Sequence, residues 1–347
     1  MRNSRWFNLT VQIGAVLAAL LFTTLVLLAT KAPPLEAFWN IALGSVGSWG
    51  KFSDVLIAWV PLLLVTAGLL ITFTAGLWNI GIEGQITLGA IFTTWVLLTL
   101  QDSGWNPAIV ITLSILAGML GGALWAALAG ALKTFGGVNE IFGGLGLNFV
   151  ATALNLWLIF GPWKRPGVAS MSGTVPFDAS LSLPALPGSR LSLVAVGIAI
   201  LAIVFVYFLL KDTYFGLRLK AVGKNANAAH LLGVPTWQYM LVSFMLCGVF
   251  AGLAGAMQVT AVYHRLIPSI SSGYGFMGLL VAMLINFLPI WAAPVALFFA
   301  ALNIGSIQLP VVLKLDSTLA GVLQGTLVLF VLLADGARQK FIKKEMP

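Results

Sequence analysis

The sequence predicts an all-α fold: a polytopic bundle of about ten membrane-spanning helices with both termini cytoplasmic. Three observations carry that reading. Of 347 residues, 60% are hydrophobic and 8% charged, against roughly 45–50% and ~25% in soluble domains, too little charge to clothe a soluble core. The stretches free of Asp, Glu, Lys and Arg are long: 6–30, 55–82, 84–101, 103–132, 141–163, 191–210, 225–264, 266–313 and 317–334, where about 20 apolar residues cross a bilayer as helix. Finally, alternating spans from a cytoplasmic N-terminus put 11 of the 18 cations inside, namely Arg2, Arg5, Lys133, Lys211, Arg218, Lys220, Lys224, Arg338, Lys340, Lys343 and Lys344, as the positive-inside rule requires.

Taken in order, the elements make a single transmembrane domain over 1–347. The first span, 8–30, follows Arg2 and Arg5. Its uncharged run is 25 residues long, beyond the about 7–15 of a signal peptide's apolar region, and Ala29-Thr30-Lys31-Ala32 is a poor cleavage site, so it reads as an uncleaved helix. After Pro33-Pro34, the spacing of Leu35, Phe38, Trp39, Ile41, Ala42 and Val46 predicts a short helix lying in the interface. Spans 55–76, 84–101, 107–131, 141–161 and 191–210 follow. Residues 162–190 carry Pro162, Pro166, Pro176, Pro184 and Pro187, which predicts an irregular external cap. A polar connector over 213–235 precedes spans 237–261, 270–288, 290–309 and 317–334. Asn286, Pro289 and Pro294 supply the break that divides the long 266–313 run.

Several chemistries are excluded. Cys247 is the one cysteine, and His230 and His264 are too far apart to read as a local pair, so no disulfide framework or metal site is expected. Gly50-Lys51 is followed by Phe52 and Gly223-Lys224 by Asn225, so neither completes a phosphate-cradling loop. Catalytic motifs are lacking, no cofactor is implied, and the net charge of +8 is scattered rather than gathered into a nucleic-acid-binding face. There is no chain of intramembrane carboxylates of the kind proton-coupled carriers use. Any energy source is expected on another polypeptide.

Polar residues inside apolar sequence mark candidate sites, because they are costly there and face protein or a watery path. The densest run is Thr72 to Gln85, with Asn79, Glu83 and Gln85. It reads either as a cytoplasmic turn punctuated by glycine or as a solute contact. Glu140 follows Gly137-Val138-Asn139, and Asn148 and Asn155, seven residues apart, share one helix face. Either interhelical hydrogen bonding or solute binding explains those asparagines. Gly118, Gly122 and Ala126, and Gly248, Gly252 and Gly255, predict close helix packing. In the connector, Asn225 to Leu232 predicts a two-turn helix stopped by Gly233 and Pro235, a natural contact for a partner.

The order of these features resembles the ABC importer permeases of the branched-chain amino acid, ribose and nucleoside superfamily, from about residue 35 to 334. Asn79 to Gln85, NIGIEGQ, resembles the N-I-G-x-E-G-Q signature of its nucleoside and simple-sugar branch. Gly137 to Asn148 resembles that branch's G-V-N-E segment and following span. Gly275 to Leu284 resembles a G-F-D-G-I-A-V-A-L-L segment, with Met277 where the family usually has Asp, and the Gly-Arg turn before Pro289 is missing. Asn227-Ala228-Ala229-x-x-x-Gly233 resembles the E-A-A-x-x-x-G coupling motif with Asn at the Glu position.

The resemblance implies a fold similar to the vitamin B12 importer permease. It also implies a second permease subunit, two cytoplasmic ABC ATPases and an extracytoplasmic solute-binding lipoprotein as partners, beside membrane lipid. The path candidates are Asn79, Glu83, Gln85, Glu140, Asn148 and Asn155. The ATPase-coupling candidates are Arg218, Gly223, Lys224, Asn225, Asn227, Ala228, Ala229 and Gly233. The expected function is a non-enzymatic permease subunit for a nucleoside or simple sugar. Rival readings are an ion-coupled carrier, a branched-chain amino acid permease, and a membrane scaffold that moves nothing.

Overall fold

The computed structural model describes residues 2–29, 31–167, 173–315 and 318–344. Thr30 of the poor cleavage site and residues 168–172 of the cap lie outside the described residues, and the terminal cations lie outside the described side chains. Helix is the regular structure throughout, with no strand among the described residues. In chain order the helices are α1 (Arg2–Ala29), α2 (Pro34–Val46), α3 (Trp49–Thr74), α4 (Ile82–Leu100), α5 (Pro107–Thr134), α6 (Glu140–Phe160), α7 (Leu193–Asp212), α8 (Tyr214–Lys224), α9 (Ala226–Leu231), α10 (Thr236–Met257), α11 (Tyr274–Leu284), α12 (Ala292–Ser306) and α13 (Leu319–Lys344). Wider π turns extend α10 over Gln258–Tyr263 and follow α12 over Leu309–Leu313.

Seven helical stretches are long and apolar enough to cross a membrane among the described residues: α3, α4, α5, α6, α7, α10 with its π extension, and Pro289–Leu313. Of the remaining expected spans, 8–30 falls on α1 and 317–334 on α13, while 270–288 differs. The 270–288 span is helical only over the 11 residues of α11, about 16 Å at 1.5 Å per residue and too short to cross. The apolar part of α13 is Gly321–Ala334. α1 ends at Ala29, and the chain turns by 111° into α2, the short helix expected after Pro33-Pro34.

The chain divides into two compact units, residues 1–55 with 297–347, and residues 56–296. In the first, α1 packs along α13, with Phe22 and Phe330 ring centres 6.1 Å apart. Leu27, Ala32, Ala37, Ile41 and Leu309 close a small core around the α1–α2 turn. Lys31 takes a left-handed φ of 59° there, while its N–H and that of Ala32 return to Leu28 and Leu27, stopping the helix.

In the second unit α4, α5 and α10 pack backbone to backbone. A Cβ on Gly122 would stand 2.6 Å from Gly252 Cα, and one on Gly255 would stand 2.8 Å from Ala90 N. The small residues flagged in the sequence therefore set the helix separation. Beyond α10 the backbone leaves helical geometry at His264 (φ 53°) and re-enters it at Gly273 (φ 74°). The described part of the proline-rich cap is tied to this irregular stretch, since Thr174 N–H donates to Leu266 O at 2.9 Å and Leu183 N–H to Thr260 O at 3.0 Å.

Candidate functional site

The site is built on the turn between α3 and α4. Gly76 (φ 72°) stops α3, with its N–H returning to Phe73 O and that of Leu77 to Thr72 O, the closure that favours glycine. Residues 81–84 that follow are buried, so their polar backbone groups need partners within the protein. Asn148 of α6 reaches this turn from across the bundle. Its Nδ2 donates to Ile80 O at 2.9 Å and its Oδ1 accepts from Gly84 N at 2.8 Å. Such an approach needs bare backbone, and a Cβ on Gly144 would lie 2.6 Å from Gly81 N.

Asn79 and Gln85, both buried, exchange two amide hydrogen bonds of 3.0 and 2.9 Å. Asn79 Nδ2 also donates to Cys247 Sγ of α10 at 3.1 Å. A closed amide pair satisfies most of the polar capacity of both side chains without water. Glu83, in the first turn of α4, is turned the other way. Its Oε1 accepts from Phe276 N at 3.0 Å, with Ser271 and the Gly275 N–H as further partners. The carboxylate therefore sits at the N-terminus of α11, where orphan N–H groups and the helix dipole favour an anion.

Asn155 lies two turns along α6, and its Nδ2 donates to Ile267 O and Pro268 O, each at 3.0 Å. It thus fixes the irregular stretch that leads into α11. Its Oδ1 is buried without a protein partner, as is Gln258 Oε1 on the π turn. Glu140 is paired with Lys133 at 2.6 Å across the α5–α6 turn, is partly exposed, and also accepts from the Trp78 backbone N–H.

So Asn79, Gln85, Glu83 and Asn148 converge on one turn, Asn155 braces the segment beyond it, and Glu140 reaches the same turn from α6 by accepting from the backbone of Trp78. All six have protein partners in their present positions, which favours the packing reading of these side chains over direct solute contact. The sequence reading passed over Cys247, Ser271 and Gln258. Cys247 carried a signal in being a lone polarisable group in an apolar span, but its partner lies 168 residues away.

The polar connector forms two helices instead of one. Thr213 caps α8, its Oγ1 accepting from Gly216 N at 3.0 Å. Leu219 and Val222 are buried. Gly223 meets the end of α3 so closely that a Cβ would fall 3.0 Å from Ala75 C and Gly76 N. Gly223→Ala is expected to lower the thermal midpoint of the purified protein, since overpacking costs about 1–3 kcal/mol; an unchanged midpoint would show that α8 can shift freely.

Asn225 caps α9 through Oδ1 and Ala228 N at 3.0 Å. Gly233 (φ 83°) ends it, with Gly233 N–H on His230 O and Val234 N–H on Ala229 O. Ala229 is buried, whereas Asn227, Ala228, Leu231 and Leu232 face outward, the two leucines at 87% and 84% exposure. The adjacent leucines give the end of this six-residue helix an exposed apolar patch. Arg218 reaches Tyr239 Oη at 3.4 Å, beside the stacked pair Phe215–Tyr239, and Lys224 is exposed at the end of α8.

Comparison with known proteins decides what kind of molecule carries this site. Residues 51–332 match the family described as branched-chain amino acid transport system, permease component. The chain belongs to this ABC permease family. The permease is 30% identical to the glucose ABC transporter permease protein TsgB13 of Haloferax volcanii, over 95% of this chain and 88% of that protein. It is 27% identical to the guanosine ABC transporter permease protein NupP of Bacillus subtilis, over 94% of each chain. It is 24% identical to the nucleoside ABC transporter permease protein NupB of Lactococcus lactis, over 88% and 85%. These relatives are transport components and not enzymes, and the permease, with its apolar helices, is a multi-pass plasma-membrane protein.

Proposed function

We propose that this chain forms half of the translocation path of an ABC importer for a nucleoside or simple sugar. An extracytoplasmic binding protein delivers the solute, a second permease subunit of similar fold completes the path, and two cytoplasmic ATPases drive it. Both termini inside and a vitamin B12 importer permease-like topology belong to this reading.

The observation that carries it is α9: a capped, outward-facing helix on α8, which itself rests through Gly223 on the end of α3, three residues before Asn79. A push on α9 is thereby delivered to the Asn79–Gln85 turn. Arg218, Lys224, Asn225, Asn227, Ala228, Ala229 and Gly233 make up the ATPase-facing segment with Gly223. Asn79, Glu83, Gln85, Asn148 and Asn155 position α4, α6 and α11 along the path, and Glu140 braces its α5–α6 edge. Opposite its bonded face, α6 exposes Phe142, Phe149 and Trp157, flat surfaces suited to stacking on a nucleobase or the apolar face of a sugar. The glucose and guanosine relatives support that solute class.

The test is ATP-driven uptake by the reconstituted full transporter with guanosine, glucose and leucine offered separately. Ala229→Glu is expected to lower uptake about tenfold or more while the protein stays in the membrane, because an unpaired carboxylate at a buried position is strongly disfavoured. Gly233→Ala is expected to keep most activity. A Cβ there meets nothing within 4 Å, leaving only the roughly 1–2 kcal/mol of a left-handed non-glycine residue. Wild-type uptake by the Ala229→Glu transporter would remove α9 from the coupling route, and uptake of leucine alone would refute the solute class.

A further inference from the structure

A cavity of about 220 Å³ lies in the second unit, where the end of α7, α8, the last turn of α3 and the turn before α12 meet. Its polar wall consists of Thr74, Tyr207, Lys211 and Lys220. Its other wall is apolar and includes Leu288 and Ile290, 53% and 64% exposed, with the exposed Trp291 next in sequence. The turn that presents this wall is unusual, since Asn286 and Phe287 are consecutive non-glycine residues at φ 52° and 60°. Phe287 is held there by Phe73, their ring centres 4.8 Å apart.

The position of the cavity relative to the bilayer follows from α7. This helix is apolar for almost its whole length, and Lys211 stands in its last turn, so the cavity lies at the level where hydrocarbon gives way to headgroups. Lys211 Nζ donates to Tyr207 Oη at 2.9 Å and sits 5.1 Å from the ring centre. That contact fixes the ammonium and leaves the tyrosine O–H hydrogen available to an acceptor. Between Tyr207 and Lys224 the sequence holds four cations, Lys211, Arg218, Lys220 and Lys224, and one carboxylate, Asp212. Two ammonium groups, a hydroxyl donor, an exposed apolar flank and an interfacial tryptophan are complementary to an amphiphile with an anionic head.

We infer that this cavity binds the phosphodiester headgroup of an anionic membrane phospholipid, with Lys211, Lys220 and Tyr207 on the phosphate and the acyl chains running past Leu288 and Ile290. The inference depends on α7 spanning the membrane and not on the identity of the transported solute. A bound lipid would bridge α8 to the strained turn before α12, two elements that flank the route from α9 to Asn79.

Native mass spectrometry of the full-length chain in detergent, with phosphatidylglycerol or phosphatidylcholine added, tests this. Phosphatidylglycerol is expected to be retained in preference. The double variant K211Q/K220Q is expected to lose that preference by roughly fivefold for each lysine removed, while K211R/K220R and the distant control K164Q/R165Q keep it. Equal retention of the two lipids, or an unchanged preference in K211Q/K220Q, would overturn the assignment. Displacement of the lipid by inorganic phosphate would also overturn it, by giving the lysines to a free anion. A photoactivatable phosphatidylglycerol on the wild-type chain provides a readout independent of variant folding. Crosslinks on the 287–291 segment are expected, and their absence there would refute the site.

Discussion

Gly252→Val is expected to abolish recovery of folded protein, seen as loss of the monodisperse peak when detergent extracts are run on a sizing column. The physical cause is local and severe. A Cβ at Gly252 would press on the Gly118 carbonyl, with Gly118 C at 3.0 Å and Gly122 Cα at 3.1 Å. Ordinary overpacking costs about 1–3 kcal/mol because side chains can rotate aside. Here the obstacles are backbone atoms of α5, while α4 closes on the same residue, since a Cβ on Gly89 would itself run into Gly252. Relief requires moving a whole helix, so the loss lies above that range. Gly197→Ala on α7 is the control, for a Cβ there meets nothing within 4 Å. Elution of Gly252→Val like the parent would show that the three-helix contact is looser than its geometry implies.

Glu83→Ala is expected to free α11 from α4. The carboxylate satisfies N–H groups at the first turn of α11, and each buried donor left without a partner costs about 1–3 kcal/mol. A lower thermal midpoint and faster tryptic cleavage after Arg265, in the irregular stretch before α11, would register that release together. Glu83→Gln keeps an acceptor oxygen and loses the charge that favours a helix N-terminus, so its effect is expected to fall between the parent and alanine. If Glu83→Ala left both readouts unchanged while solute uptake fell, Glu83 would act on solute and not on α11. The two roles are thus separable by experiment.

The positions of the long apolar helices were legible in the sequence wherever one continuous apolar run had to be one helix, as in α3 to α7. Run length is a one-dimensional property that bilayer thickness reads directly. The 270–288 segment differs from its prediction for a reason invisible at that level: its helix runs only over Tyr274–Leu284, and the first turn is anchored from α4 by Glu83. Likewise Thr213 and Asn225 each cap a helix, giving two short helices where the connector reading expected one.

By itself the sequence determined that this is a helical, multi-pass membrane protein of a recognisable permease pattern, with glycine-dense helix faces and a polar connector that carries an exposed helix. Those follow from composition, periodicity and local capping chemistry, all properties of neighbouring residues. Only the tertiary structure decided what the polar residues do. Asn148 meets Gly84 across 64 positions, Asn79 meets Cys247 across 168, and Glu83 meets Phe276 across 193. A buried polar group must find a partner, and the sequence states the need; which partner satisfies it is fixed only when the helices pack.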